Sequence, residues 1–430
     1  MTLPPLADEA VDVSFAEEGL STLVALFARH GDAYRVHSPT LGRDLFVFSH
    51  PEHLRHVFVD NTANYRKGLG IERVAILLGN GLMTSEPPLW HTQRRLIQPA
   101  FHRASIAARV PHMVAANQRL AARWEQAARR GETINLTQDM SEVTLDVVLR
   151  ALFGVDFDRV AGRDGGNPFA MLTQETGRNL QFAYAFRQLT KLVHAEMARR
   201  RSDPAERDDI LQAMLDARDR RSGAPMPDRQ LVDEVLTLIV AGHETTASAL
   251  NWAWYLLALH PKADAAVHAE AVTAITDPVY ADVGRFVHAR QVLDEAMRLY
   301  PPGWLLTRRA LADDTLGTFD VPAGADVLLS PYLVHRHPQF WDDAERFEPN
   351  RFAPTATAAR HRFAYLPFGL GPRACIGEHF ALVEMTVHLA MLARRFRLTL
   401  VPGQKVELEP QVNLRPRHPL AMVPSLRPHA

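Results

Sequence analysis

The sequence is poor in cysteine: its 430 residues contain one, Cys375. A single thiol excludes an intrachain disulfide framework and any zinc site built on two or more cysteines. Charge of one sign is lacking too, since 48 Lys plus Arg face 49 Asp plus Glu for a net charge of −1. That balance excludes a strongly basic chain made for nucleic acid and an acidic tail made for basic partners. No hydrophobic run is long enough to span a bilayer. The longest uncharged stretch, Thr245 to Pro261, is bracketed by Glu244 and Lys262 and falls short of the about 20 residues a spanning helix needs. The segment starting at Met1 has neither the basic nor the apolar region of a secretory signal, Thr2 stands where myristoylation needs glycine, and no terminal cysteine invites prenylation. A cytoplasmic protein with no membrane anchor is expected. What is present is an apolar fraction of 47%, ample for a packed core, with no repeat or low-complexity tract. Length alone allows roughly three domains or one large enzyme fold. The Pro/Gly clusters at 161–168 and 221–228 are of loop size, so one domain over 1–430 is expected, with 1–30 as an N-terminal extension.

Periodicity predicts a mostly α protein with small β-sheets. Tyr34–His37 and Leu45–Phe48 read as two strands around Pro39–Gly42. From Pro51 to Phe153 the pattern is mainly helical, as in Pro111–Arg129 and Leu136–Phe153. Asp228 to Leu259 reads as one long helix between Pro227 and Pro261, about 48 Å at 1.5 Å per residue. A second helix is predicted over Asp282–Leu299 and a last one over Ile376–Phe396. Asp326–Ser330 reads as a strand, 338–362 as a meander, and Leu398–Val406 with Val412–Pro424 as a closing hairpin.

The only thiol ends the glycine-rich stretch Phe368-Gly-Leu-Gly-Pro-Arg-Ala-Cys375-Ile-Gly377, just before a helix. A helix start favours an anion, so Cys375 is expected as thiolate, the form that binds metal. The glycines let backbone approach a large flat ligand, and Arg373 suits a carboxylate on it. Haem combines a metal that takes an axial thiolate with peripheral carboxylates. The stretch closely resembles the haem-thiolate signature of the cytochrome P450 family, Phe-x-x-Gly-x-Arg-x-Cys-x-Gly, at Phe368, Gly371, Arg373, Cys375 and Gly377.

Other motifs agree. Ala241-Gly-His-Glu-Thr-Thr246 is a polar patch in the long apolar helix, where a threonine hydroxyl can bond the carbonyl four residues back and open the ladder. It resembles the family's oxygen-activation motif at Ala241, Gly242, Glu244 and Thr245. The resemblance implies that Thr245 hydrogen-bonds dioxygen and that Glu244 relays protons; His243 receives no role. Glu295-Ala-Met-Arg298 resembles the family's Glu-x-x-Arg pair, which Arg351 would complete as a buried structural triad. Trp90-His-Thr-Gln-Arg94 resembles the Trp-x-x-x-Arg motif whose ends reach a haem propionate. Arg308 takes the place of a further propionate arginine, with Arg309 beside it as the rival.

Together the motifs imply a cytochrome P450 fold with its long central helix over haem b. The activity implied is a dioxygen-dependent monooxygenase that hydroxylates or epoxidises a hydrophobic small molecule, whether fatty acid, terpenoid, steroid or aromatic. With no reductase segment evident, electrons are expected from a separate ferredoxin or flavodoxin with its NAD(P)H-dependent reductase. Arg360, Arg362 and Arg394 are the candidates for its docking patch. The resemblance draws the substrate pocket from Ile71, Val74, Leu78, Phe182, Val240, Trp304 and Leu305. A peroxide-driven or non-oxygenating haem-thiolate enzyme is the alternative, and a non-catalytic haem sensor a more distant one.

Overall fold

The apolar run between two prolines folds as one unbroken helix, Asp228–Leu259, the central helix of the molecule. The structure, a computed structural model, describes residues 2–10, 12, 18–162, 168–173, 180–203, 205–273 and 277–428, the side chains of 180–185 excepted. The central helix buries Leu236 and Leu238, and likewise Trp252 and Trp254, on opposite sides because other helices surround it, so no polar stripe is needed. One neighbour is the helix Leu136–Phe153, and the crossing is tight. A Cβ on Gly242 would lie 2.9 Å from Val148 Cγ2, so glycine serves helix contact there as well as lowering propensity. The ladder does not open at the polar patch, contrary to expectation. Thr245 Oγ1 donates to Ala241 O at 2.8 Å and Thr246 Oγ1 to Gly242 O at 3.0 Å, and the helix stays continuous.

Two more helices complete the main core. Arg103–Arg130 carries Pro111 inside it and buries Trp124 edge-on against Trp254. The helix Glu378–Arg395, which starts two residues later than the sequence reading, follows the cysteine loop and buries Val383, Val387 and Leu389. Asp282–Leu299 divides into a 3-10 turn, Tyr280–Arg285, and the helix Val287–Leu299.

A five-stranded sheet stands beside this core. Ala33–Ser38 and Arg43–Phe48 pair antiparallel as read from their alternation. Arg43–Phe48 then pairs parallel with Asp326–Leu329, which pairs with Leu306–Ala310, which pairs with Tyr65–Lys67 at the edge. Residues 19–30, placed in the N-terminal extension above, form a helix whose Leu20, Leu23 and Leu26 are buried with Tyr34 and Val36. The closing segment is not one hairpin. Phe396–Leu400 pairs with Ala421–Leu426, and a smaller pair, Leu408–Pro410 with Leu414–Pro416, lies between them, because the apolar registers match across the longer separation.

Glu295 and Arg298 are both fully buried. Arg298 Nε and Nη2 donate to the Glu295 carboxylate at 2.6 and 2.8 Å. Nη1 donates to His335 O and Ala344 O at 2.9 and 2.7 Å, and Nη2 also to Arg346 O at 3.2 Å. Arg351 joins at 3.5 Å from Glu295 and ties back to Asp343 O. The cluster fastens the meander 335–351 onto the helix beneath it. Arg360 stacks on Trp341 and Phe352 and donates to Arg351 O, and Arg394 donates to Ala271 O, so both are used inside the molecule while Arg362 is exposed.

Candidate active site

Backbone geometry presents the thiol. Gly369 and Gly371 take positive φ, and a Cβ on Gly371 would lie 1.8 Å from Phe58 O, so only glycine fits. The Cys375 N–H donates to Phe368 O at 2.8 Å, closing the loop, and Gly377 then caps the helix Glu378–Arg395. The sulfur opens onto a cavity of about 350 Å³ deep in the protein. Burial pushes the thiol's pKa up, against the N–H groups of Gly377 and Glu378 and the charge of Arg94. The helix start alone therefore does not deliver the expected thiolate. A coordinated metal cation would supply the missing stabilisation, because it deprotonates a coordinating thiol outright.

The cavity gathers most of the residues read from the motifs. Ala241 and Thr245 reach it from the central helix, and Phe368, Arg373, Cys375 and Gly377 from the cysteine loop. Arg308 lines it as well, its guanidinium 4.7 Å from the Phe58 ring centre. Arg309 points to the other side of its strand and pairs with Asp326 at 2.9 and 2.8 Å, so strand alternation separates the two arginines. Trp90 is buried with the Arg373 guanidinium 4.7 Å from its ring. Arg94 donates to Ala374 O at 2.9 Å, joining its helix to the residue before the thiol.

One cavity cation was missed in the sequence. Lys67 lies directly opposite Arg308 in the sheet register, and both line the cavity. Like charges directly opposite each other destabilise a strand pair. Burial, with repulsion from Arg308 and Arg373, pushes the Lys67 pKa down to about 7, and burial pushes Arg308 down to about 10. Among the described residues neither has a carboxylate within ion-pair distance, whereas Arg373 pairs with Glu86. Glu86 also accepts the Lys67 backbone N–H at 2.5 Å. Three basic side chains face one carboxylate, so the rim is short of negative charge, which fits a group that brings carboxylates. A single thiol, an apolar chamber and this cationic rim together fit haem.

Thr245 and Glu244, adjacent in sequence, face different spaces. Glu244 lines a second, polar cleft with Ser141, Ser248, Asn251, Asn413 and Arg415. Asn251 is 3% exposed and its Oδ1 has no protein partner, so the cleft suits water. His243 is fully buried, with Nδ1 at 3.2 Å from Ile239 O, and burial lowers its pKa.

The expected substrate residues fare differently. Trp304 and Leu305 pack with Tyr34 and Leu333 in the sheet-side core, and the Trp304 indole N–H donates to Gln411 O at 2.8 Å. Gly303 and Leu306 on either side line the cavity instead, because the chain turns after Pro301–Pro302. Leu78 is buried in the main core, with Val74 and Val240 packed against it, and Ile71 does not line the cavity. The Phe182 side chain lies outside the described residues. The apolar wall comes from Val148, Leu152, Leu238, Met297 and Met83, which no motif marks. Lys67 and Met83 flank the segment that carries Ile71, Val74 and Leu78.

Comparison with known proteins gives the same picture. A family-wide sequence profile described as Cytochrome P450 matches residues 9–165 and 166–422. Cyclooctatin synthase of Streptomyces melanosporofaciens is 37% identical, covering 98% of this chain and 94% of its own. Pentalenene oxygenase of Streptomyces avermitilis is 32% identical over 88% of this chain and 86% of its own. A solved cytochrome P450DA heme domain superposes with a TM-score of 0.87 at 25% identity, covering 100% of this chain and 99% of that one. Among the described residues no helix is long and apolar enough to cross a membrane. With thiol, cations and threonine on one apolar chamber and a match over almost its whole length, the chain belongs to the cytochrome P450 family, as a haem-dependent monooxygenase.

Proposed function

We propose that this monooxygenase uses haem b to hydroxylate or epoxidise a terpenoid, with electrons from a separate ferredoxin or flavodoxin and its NAD(P)H-dependent reductase. The observation that carries the reading is the chamber: Cys375 and Thr245 on one wall system that is otherwise apolar, with cations along part of it. The terpenoid class is supported by relatives such as pentalenene oxygenase and cyclooctatin synthase. An apolar wall binds such a molecule by excluding water rather than by hydrogen bonds.

The haem, when bound, supplies the redox centre that activates dioxygen. Cys375 would bind its iron, and Lys67, Arg308 and Arg373 would hold its carboxylates. Reducing one oxygen atom to water consumes two electrons and two protons, so the chamber needs a proton supply that does not flood it. Thr245 spends its hydroxyl proton on Ala241 O, which leaves its lone pairs free to accept a hydrogen bond inside the chamber. Glu244 faces the polar cleft one residue away, where it takes protons from water. The central helix thus partitions the two media, and the adjacent pair bridges them.

The test uses the haem-loaded chain with a surrogate ferredoxin, its reductase and oxygen-18 gas, against a panel of cyclic terpenes. One labelled atom per product molecule is expected. Turnover with peroxide alone would move the reading to the peroxide-driven alternative, and binding with no turnover to the sensor. Cys375→Ala is expected to abolish the thiolate-type Soret position of the reduced carbon monoxide adduct, and a retained position removes Cys375 as the ligand.

A further inference from the structure

Two consecutive carboxylates on the central helix fasten the loop that precedes the Trp90 helix. Asp233 Oδ2 accepts the Asn80 N–H at 2.9 Å, and Glu234 Oε2 accepts the Leu82 N–H at 2.8 Å. The approach is close enough to exclude side chains. A Cβ on Gly79 would lie 2.3 Å from Asp233 Oδ1, and one on Gly81 2.2 Å from Thr237 Oγ1 and 2.9 Å from Asp233 O. The loop is also fastened from its far side, where Gln93 Nε2 donates to Asn80 O at 2.7 Å and Ser85 Oγ to Gln93 Oε1 at 2.5 Å. Within it, Thr84 Oγ1 donates to Gly79 O at 2.8 Å.

Between these anchors sits Met83, which lines the cavity while its neighbours Leu82 and Thr84 are buried. Methionine is unbranched and adaptable, so on a loose backbone it would conform to any ligand rather than define a wall. Here the backbone on both sides of it is fixed. Glu234 has no stability rationale of its own. It is fully buried, only one of its oxygens has a partner, and burial pushes its pKa up to about 8. Burying such a group costs free energy, and Leu231 and Leu238, one turn to either side, show what a merely structural helix face takes there.

We propose that Asp233 and Glu234 are positioning residues that hold Met83 as a fixed wall of the chamber and thereby set the size of apolar ligand the enzyme admits. The inference rests on the chamber being the substrate site, as read under the proposed function. Releasing either carboxylate frees the backbone around Met83 and lets the wall yield to larger molecules.

The experiment titrates the haem-loaded full chain with imidazole and with 4-phenylimidazole, following the Soret band. Imidazole needs only access to the iron, whereas 4-phenylimidazole must also place a ring against the wall. In Asp233→Ala and Glu234→Leu the ratio of the two Kd values is expected to change at least about fivefold, in the direction given by Met83→Ala. The imidazole Kd should stay within about twofold, the scale of a surface change. Glu234→Gln, which keeps an acceptor oxygen for Leu82, should restore the parental ratio. Variants that lower the melting temperature and leave the ratio unchanged overturn the proposal, because a purely structural pair would do that. If Glu234→Leu fails to load haem, hydrogen exchange at the Asn80 and Leu82 amides of the parent decides with Asp233→Ala: slow exchange that Asp233→Ala accelerates supports the clasp, and fast exchange in the parent ends it. A parent that binds imidazole but not 4-phenylimidazole or any terpene refutes the chamber reading instead, whatever the clasp does.

Discussion

Replacing Lys67 with methionine isolates one cation of the chamber while keeping most of its apolar length. Lys67 and Arg308 face each other in register, and among the described residues neither has a carboxylate within ion-pair distance; burial with this repulsion lowers the Lys67 pKa to about 7. A haem carboxylate held there would relieve the repulsion and would accept a charge-assisted hydrogen bond. Such a bond contributes about 1.5–3 kcal/mol, so losing it should speed haem release roughly 10- to 150-fold. The assay is transfer of haem from the variant to excess apomyoglobin, followed by absorbance. Arg308→Met should act in the same range. The double variant should fall short of the product of the two, because the residues share one pair of carboxylates and neighbouring effects do not add. A Lys67→Met enzyme that releases haem at the parental rate would refute the assignment of Lys67 to the carboxylates.

Other outcomes follow from the same geometry. Thr245→Ala should retain terpene binding but divert reducing equivalents to peroxide, measured as product formed per NADPH consumed; unchanged coupling removes its proton role. Glu295→Ala strands the buried Arg298 charge and the Glu348 N–H, which Glu295 accepts at 2.9 Å, and should cost about 3–5 kcal/mol in chemical denaturation. Glu234 has a native pKa of about 8 against 4.5 for the free group, so the folded state holds its proton more tightly. Its contribution is complete below pH 4.5 and fades as pH rises to about 8, hence the parent should lose ground to Glu234→Gln between pH 5 and pH 8.

The glycine loop and helix start around Cys375 were legible because their motif is local: ten residues carry the loop, the turn and the helix start. The central helix was legible to the residue, since prolines stand at both of its limits. Lys67 was not, because its meaning comes from lying opposite Arg308, a pairing made by strands more than two hundred residues apart. The resemblance put Trp304 and Leu305 in the pocket, but the turn after Pro302 directs them into the sheet-side core. The closing strands show the same limit: apolar alternation identified them, while the partner of each depended on a register set across the fold. The helix-start argument for a thiolate named a real effect and misjudged its size against burial.

Arg298 has five N–H donors, and the five acceptors around it, two on Glu295 and three carbonyls at His335, Ala344 and Arg346, use all of them. A lysine offers three donors and no planar fork, so it would leave two of these acceptors bare and buried. The guanidinium therefore works as a cross-link that no reductant can open, closing loops of 37 to 48 residues in a chain whose one cysteine has no second thiol to pair with. Its hold on the meander is independent of cellular redox state.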